Sequence, residues 1–451
     1  MRTRHYAALL LGSALITLDG TAATVALPAI GKDLELPFSH LQWISNASLL
    51  MLAALLMPCG ALVDRRGWAA PMRAGLVIFV VASALCALAT SGVMLIASRL
   101  LQGAGAALVL PSAVAQLRAA FTDEAERTRR FGTWAAWTGV ASAVGPLLGG
   151  AFVDVLSWRA VFALSSGTAL IALVLLGRVT AEASTKQRPL PIFGTAGLIV
   201  FLGSVAYLLI DGNAAGWRSP QVLAAAALLP VSLYLFARSS RRQLLVPGEL
   251  FATSNCVAAN GATFALYFGL FGLSFLVVLY TQQALGYSGL RAGLTVLPIS
   301  LMLFFAEPFG RLAARVGTRL PIAAGSVMAG AGILWMASGT HPLPFWSHLV
   351  PGTTMFGLGV SLSVSPLTHA AVSAVPEGCA GAASAFNHAI VRAAGLLSIA
   401  LLGSIAADER QLSVDGFMHA LWVCGSLVAA AGVVFALRIR NEAPGGLSAA
   451  D

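Results

Sequence analysis

Charge is scarce in these 451 residues. Asp, Glu, Lys and Arg together make up 10% of the chain, and only 18 residues are acidic. Ordinary soluble domains carry roughly 25% charged and 45–50% apolar residues, whereas 58% of this chain is hydrophobic. A water-soluble fold of this length cannot hide so much apolar surface, and a bilayer removes the difficulty by acting as its solvent. Cysteine is equally thin. Cys59, Cys86, Cys256, Cys379 and Cys424 form no C-x-x-C pair, and four of them stand in apolar runs. That leaves them as small buried hydrophobes rather than a disulfide frame or thiolate metal centre. The chain also lacks H-E-x-x-H, G-x-S-x-G and Walker sequences, so neither hydrolytic chemistry nor ATP-driven work finds its usual residues. No enzyme activity, cofactor or metal is expected. The longest polar stretches, Thr122–Arg130 and Thr180–Pro191, read only as loops.

What the chain has is apolar runs. About 20 such residues cross a hydrocarbon core, and fourteen runs qualify: 7–28, 41–63, 71–90, 93–116, 133–154, 159–177, 192–211, 220–237, 255–280, 291–310, 320–339, 346–367, 382–406 and 417–437. The first is too long for a signal-peptide core and carries Asp19, so it reads as an uncleaved span. The 46 glycines suit close helix packing in a membrane.

The net charge of +9 has a topological origin. With the N-terminus inside, inner segments hold 20 of the 27 Lys and Arg residues and outer segments 5, while Arg99 and Arg392 fall within spans. That bias puts both termini in the cytoplasm. It also accounts for the basic balance without nucleic acid, for which no basic–aromatic cluster exists.

One short polar phrase occurs twice. Gly60-Ala-Leu-Val-Asp64-Arg65-Arg66-Gly67, read as a loop between two spans, and Gly310-Arg-Leu-Ala-Ala-Arg315-Val-Gly317 both read G-x-L-x-x-R-x-G and face the same side. The expected architecture is an all-α polytopic bundle of two parallel six-helix repeats. Residues 1–178 form the first and 253–440 the second. A linker over 179–252 carries two extra spans, and 441–451 is a short cytoplasmic tail. Such duplicated halves around a central site are the usual frame of a secondary transporter.

Four segments of the first half carry a family likeness. They are Leu18-Asp19-x-Thr21…Ala26-Leu27-Pro28, the Gly60–Gly67 phrase, Arg99-x-x-Gln102-Gly103-x-Gly105-Ala-Ala107, and Gly139…Gly145-Pro146-x-x-Gly149-Gly150. The second half adds Gln282-x-x-x-Gly286-Tyr-Ser, Ala292-Gly293…Leu297-Pro298 and Gly381…Asn387…Arg392-x-x-Gly395. In these the chain resembles the major facilitator superfamily, and more narrowly its fourteen-span drug:proton antiporters. It departs from them at Ser48, where an aromatic residue is common, and at Thr24, where the family has Asn. The resemblance implies a monomeric multi-pass protein of the cell inner membrane. It would export amphipathic or cationic drugs by alternating access, exchanging a small-molecule substrate for protons. The alternatives are a narrow metabolite exporter or importer of the same fold and, more remotely, a membrane sensor that has lost transport.

Individual residues admit two readings each. An ionised Asp19 inside a span costs roughly 2.5–3.5 kcal/mol or more. It is therefore either a proton or substrate-cation site, or a structural bond locking span 1. Arg99 either serves proton coupling, as the resemblance implies, or clamps helices by holding a carboxylate or a carbonyl. Glu307 either titrates or pairs with Arg311 four residues on. Arg392 should face a cavity and seek an anion, and His388 one turn earlier is either a proton carrier or a packing residue. Gly139, Gly145, Pro146, Gly149 and Gly150 allow close approach and a bend; the link to antiport comes from the resemblance. Gly60, Asp64, Arg65 and Gly67 read as a conformational latch, with Arg315 in a weaker second copy that lacks the acid.

Overall fold

The computed structural model describes residues 3–121, 123–179, 191–241, 248–375, 380–408 and 411–440. Most of the expected loop Thr180–Pro191, the tail 441–451 and Cys379 lie outside the described residues. So do Arg2, Lys186, Arg188, Arg242 and Arg410 from the charge count.

The elements are α1 (Thr3–Asp33), α2 (Phe38–Arg66), α3 (Ala69–Ala87), α4 (Gly92–Ala120), α5 (Glu124–Val155), α6 (Trp158–Leu176), α7 (Ile192–Ala215) and α8 (Pro220–Arg241). They continue as α9 (Glu249–Ala252), α10 (Ser254–Gln283), α11 (Gly289–Met302), α12 (Ala306–Val316), α13 (Arg319–Ala337), α14 (Val350–Ser373), α15 (Ala380–Ala406) and α16 (Val414–Arg438). A single 3₁₀ turn, Leu303–Phe305, joins α11 to α12 within one span. Among the described residues, 14 helical stretches are long and apolar enough to cross a membrane. Helices satisfy every backbone group internally, which hydrocarbon requires. The only strands described are two residues each, Ala407–Asp408 (β1) paired with Gln411–Leu412 (β2).

Two sequence expectations need correction. The Gly60–Gly67 phrase is not a loop: α2 runs through it to Arg66, and α12 runs to Val316 in the second copy. In both copies the final glycine ends the helix, Gly67 at φ 73° and Gly317 at φ 85°, a backbone region that costs glycine little. Thr122–Arg130 is also mostly helix, because Asp123 accepts the Glu126 amide and starts α5 there. Helix ends that protrude into water carry polar residues, and composition alone reads those as loops.

The first six helices and α10–α16 form two bundles with the same internal plan. In each, the first helix packs on the fifth and sixth, and the third on the fourth and sixth. The crossing of third and fourth helices is backbone on backbone in both. A Cβ on Gly105 would lie 2.8 Å from the Gly75 carbonyl oxygen, and one on Gly325 would lie 2.5 Å from that of Gly359. Small residues let helices approach this closely. The bundles meet along two equivalent seams, α2 against α15 and α5 against α11.

The hairpin α7–α8 lies outside this plan. Its first helix packs on both α2 and α15. Asp211 of α7 accepts from the Trp43 indole of α2 at 2.8 Å, and Ser404 of α15 donates to the Leu209 carbonyl at 2.5 Å. The extra helices therefore straddle one seam and touch both bundles.

Overpacking a tight helix crossing costs roughly 1–3 kcal/mol. Gly105→Leu should therefore lower the melting temperature of the purified protein, while Gly167→Leu, whose Cβ meets nothing within 4 Å, should not. Thermal unfolding followed by size-exclusion chromatography checks this; equal melting of the two variants would contradict the backbone contact.

Candidate functional site

A cavity of about 2300 Å³ lies between the bundles. Small-molecule sites usually occupy roughly 300–1,000 Å³, so this one has room for more than one pose. Its wall is mostly apolar, with Leu52, Leu56, Val114, Phe271 and Phe304 among the residues on it. Arg118, Arg129, Thr368 and Glu307 also line it. They sit near the last turns of α4 and α14 and the first turns of α5 and α12, on the face where the N-terminus lies. The cavity thus opens to the arginine-rich face, which charge bias assigns to the cytoplasm.

The opposite end is shut by contacts across the seams. Gln42 of α2 donates to the Ile399 and Ala400 carbonyls of α15 at 2.8 and 3.0 Å. Gln282 of α10 donates to the Val25 carbonyl of α1 at 3.0 Å. Asp154 at the end of α5 accepts the Gly289 and Leu290 amides that begin α11, at 2.7 and 2.9 Å. A carboxylate there satisfies donors a helix N-terminus leaves bare.

The Gly145–Gly150 segment occupies the same closure. Gly145 and Gly149 face Thr21 and Ala22 of α1, whereas Gly150 faces the Gly289 backbone of α11. The Pro146 carbonyl lies against Gly293 of α11. One turn of α5 therefore touches its own bundle on one side and the opposite bundle on the other. Gly139 lies nearer the mouth, on the cavity wall.

Asp19 and Arg99 are bonded to each other. The Arg99 Nη1 to Asp19 Oδ2 distance is 2.6 Å, and both side chains are buried. Arg99 also donates to Gln102 Oε1 at 2.6 Å, Ser48 Oγ at 2.9 Å and the Ile44 carbonyl at 3.2 Å. Gln102 in turn donates to Asp19 Oδ1 at 2.8 Å and Ser83 Oγ at 2.9 Å. Helices α1, α2, α3 and α4 thus share one network, and Asp19 and Arg99 both line the cavity. Ser48, where the resemblance leads one to expect an aromatic ring, is an acceptor for Arg99. Removing one partner of such a pair costs about 3–5 kcal/mol, because the other charge remains buried.

The second bundle is built differently. Asn387 of α15 donates to Asn260 Oδ1 and Thr263 Oγ1 of α10, each at 3.1 Å, so that contact is uncharged. His388 and Arg392 line the cavity. The Arg392 guanidinium lies 5.9 Å from the centre of the Phe271 ring.

The other singled-out residues lie at the mouth. Glu307 and Arg311 approach to 4.0 Å with 85% and 75% of their side chains exposed, a pairing worth little. Gly60 and Asp64 line the opening, and Arg65 and Arg315 sit nearby on the protruding ends of α2 and α12. Cys59, Cys86, Cys256 and Cys424 are buried and free. Sequence reading missed Gln42, Asp154 and Asp211, and quoted Gln282 only as part of the family likeness. Of those missed, only the two carboxylates, each near the end of an apolar run, gave any signal.

Comparison with known proteins places this geometry. The model of the Major Facilitator Superfamily matches residues 9–399. The methylenomycin A resistance protein of Bacillus subtilis is 34% identical over 401 residues, covering 88% of this chain and 86% of that protein. The multidrug resistance protein Stp of Mycobacterium tuberculosis is 31% identical, covering 88% and 74%. The tetracenomycin C resistance and export protein of Streptomyces glaucescens is 30% identical, covering 89% and 75%. Among solved structures, peptide transporter POT in complex with sulfate superposes with a TM-score of 0.73 at 15% identity, covering 96% of this chain and 93% of that one; at that identity it speaks for the fold. The protein is a multi-pass transporter of the cell membrane and not an enzyme, and the chain belongs to the Major Facilitator Superfamily.

Proposed function

We propose that this chain exports amphipathic, drug-like compounds in exchange for protons. The observation that carries the reading is the large cavity between two bundles, open to one face only and holding ionisable side chains at membrane depth. The relatives named for resistance to methylenomycin A and for export of tetracenomycin C favour export over import.

Asp19 is the residue we assign to the proton. Arg99 already holds its carboxylate in this inward-open state, so a cationic guest would have to displace a guanidinium bound at 2.6 Å. A proton needs only to neutralise the carboxylate. Arg99 then keeps Gln102, Ser48 and the Ile44 carbonyl as neutral acceptors and loses its ionic partner. The loss loosens α1, whose next residues Thr21 and Ala22 are those that face Gly145 and Gly149 on α5. Helix α5 carries the change to α11 through Gly150 and Pro146. A route therefore exists from the proton site to the seam that must open.

At the mouth, we assign Gly60, Asp64, Arg65 and Gly67, with Arg315 in the second copy, to contacts made when the inner face closes. They stand apart from the seams that are closed here. A two-state element with alternative partners is what such a switch needs. His388 and Glu307 are given no part in proton transfer.

Uptake of N-phenyl-1-naphthylamine into everted vesicles tests the coupling. It should appear when the lumen is acidified and disappear when the gradient is collapsed; uptake independent of the gradient would overturn proton exchange.

The assignment of Asp19 has its own test. Asp19→Asn leaves Arg99 uncompensated and should destabilise the purified protein by about 3–5 kcal/mol. The double variant Asp19→Asn with Arg99→Gln should recover much of that loss, yet remain unable to use the gradient. If the double variant drove uptake as the wild type does, Asp19 would not be the proton site.

A further inference from the structure

Away from its mouth, the cavity has one charged side chain with no ion pair among the described residues. Asp19 and Arg99 cancel each other. Arg118, Arg129, Glu307 and Asp64 stand exposed at the mouth. Arg392 lies along the wall; among the described residues its side chain makes no ion pair or hydrogen bond, and its guanidinium stands over the face of Phe271. Arginine keeps its charge at any working pH, and a charge at membrane depth without a partner belongs on a water-lined cavity, where Arg392 stands half-buried. The aromatic face stabilises the cation and leaves the N–H donors of the fork open to the cavity.

The local structure looks prepared for this arrangement. Gly395 stands three residues beyond Arg392, on the same face of α15. A Cβ there would lie 2.8 Å from the Phe271 ring, so only glycine lets that ring lie flat against α15 beneath the guanidinium. One turn earlier on α10, Tyr267 also lines the cavity, its ring 6.5 Å from that of Phe271. Its hydroxyl is another donor without a hydrogen-bond partner among the described residues. The uncharged bond of Asn387 to Asn260 and Thr263 ties α15 to α10, which fixes the two helices that bear these groups.

We propose that Arg392, seated on Phe271 and joined by the Tyr267 hydroxyl, is a specificity site that receives an acidic group of the transported molecule, a carboxylate, sulfonate or phosphate. This rests on reading the cavity as the substrate path, and it names the substrate class: amphipathic acids, with the apolar part of the molecule against the rest of the wall. Planar two-pronged recognition of an anion is the chemistry arginine does best.

The test uses two probes that share one ring system: 8-anilinonaphthalene-1-sulfonate and its uncharged parent N-phenyl-1-naphthylamine. Binding to the purified, monodisperse protein is read by fluorescence. The wild type should prefer the sulfonate by about ten-fold, the worth of a hydrogen bond to a charged group. Arg392→Gln should abolish that preference, Arg392→Lys should restore part of it, and Tyr267→Phe should reduce it. A wild type that binds both probes equally, or an Arg392→Gln variant that keeps the preference, would overturn the site. Export of the uncharged parent is measured separately. Its failure would count against the transport reading, whereas the sulfonate preference and its loss in Arg392→Gln decide the anion site whatever the flux.

Discussion

Asp19 and Arg99 meet at 2.6 Å among apolar side chains, and a charge pair at that depth constrains everything around it. The carboxylate has a second oxygen and the guanidinium further N–H groups, and each needs a partner because hydrocarbon supplies none. Gln102 and Ser48 supply side-chain partners, Ile44 a carbonyl, and Ser83 completes the amide of Gln102. Together with Asp19 on α1, those residues stand on four different helices. One ion pair and its neighbours therefore tie α1, α2, α3 and α4 together.

The interfaces that must part are made of weaker material. Across the seams the closing contacts are side-chain amides on carbonyls, at Gln42 and Gln282, and glycine backbone on backbone at Gly150 and Gly289. Each such hydrogen bond nets about 0.5–1.5 kcal/mol, and water can replace it once the gap opens. Asp154 is the one charged member, and it too can be rehydrated at the outer end. A transporter needs two states of nearly equal free energy, since a large gap would trap it in one. Strong contacts inside each bundle and exchangeable ones between bundles meet both needs. The hairpin α7–α8 adds a limit, because Asp211 and Leu209 hold it to both sides of one seam.

How much of this could be read from the chain follows from the size of each residue's signal. The fourteen spans were legible because twenty apolar residues in a row have few other uses, and Asp19, Arg99 and Arg392 stood out because a charge in such a run is costly. The pairing of Asp19 with Arg99 was not legible, since nothing in sequence relates two residues 80 positions apart. Gln42 was silent, and the contact of Gln282 was hidden, for a simpler reason: a neutral amide inside an apolar stretch costs too little to mark a partner, and that partner is a carbonyl that every residue carries. Gly60–Arg66 was misread as loop because polarity marks exposure to water, whereas helicity there continues from the span behind it.

The unequal charges of the two bundles bear on the energetics of export. The first bundle closes its charge on itself and the second leaves Arg392 open to the cavity. For the acidic guest proposed above, the membrane potential is an aid: moving one elementary charge through 100 mV is worth about 2.3 kcal/mol, and an anion leaves an inside-negative cell down that field. A cationic guest would have to climb it. Exchange of an anion for an entering proton moves positive charge inward twice over, so both the potential and the proton gradient drive the cycle in the same direction. An arginine that cannot lose its charge suits such a guest better than a carboxylate would, because it holds the acid by a contact that survives any pH the inner face experiences. The proton can then be confined to Asp19, on the other bundle, where its arrival changes helix packing rather than the charge that faces the guest.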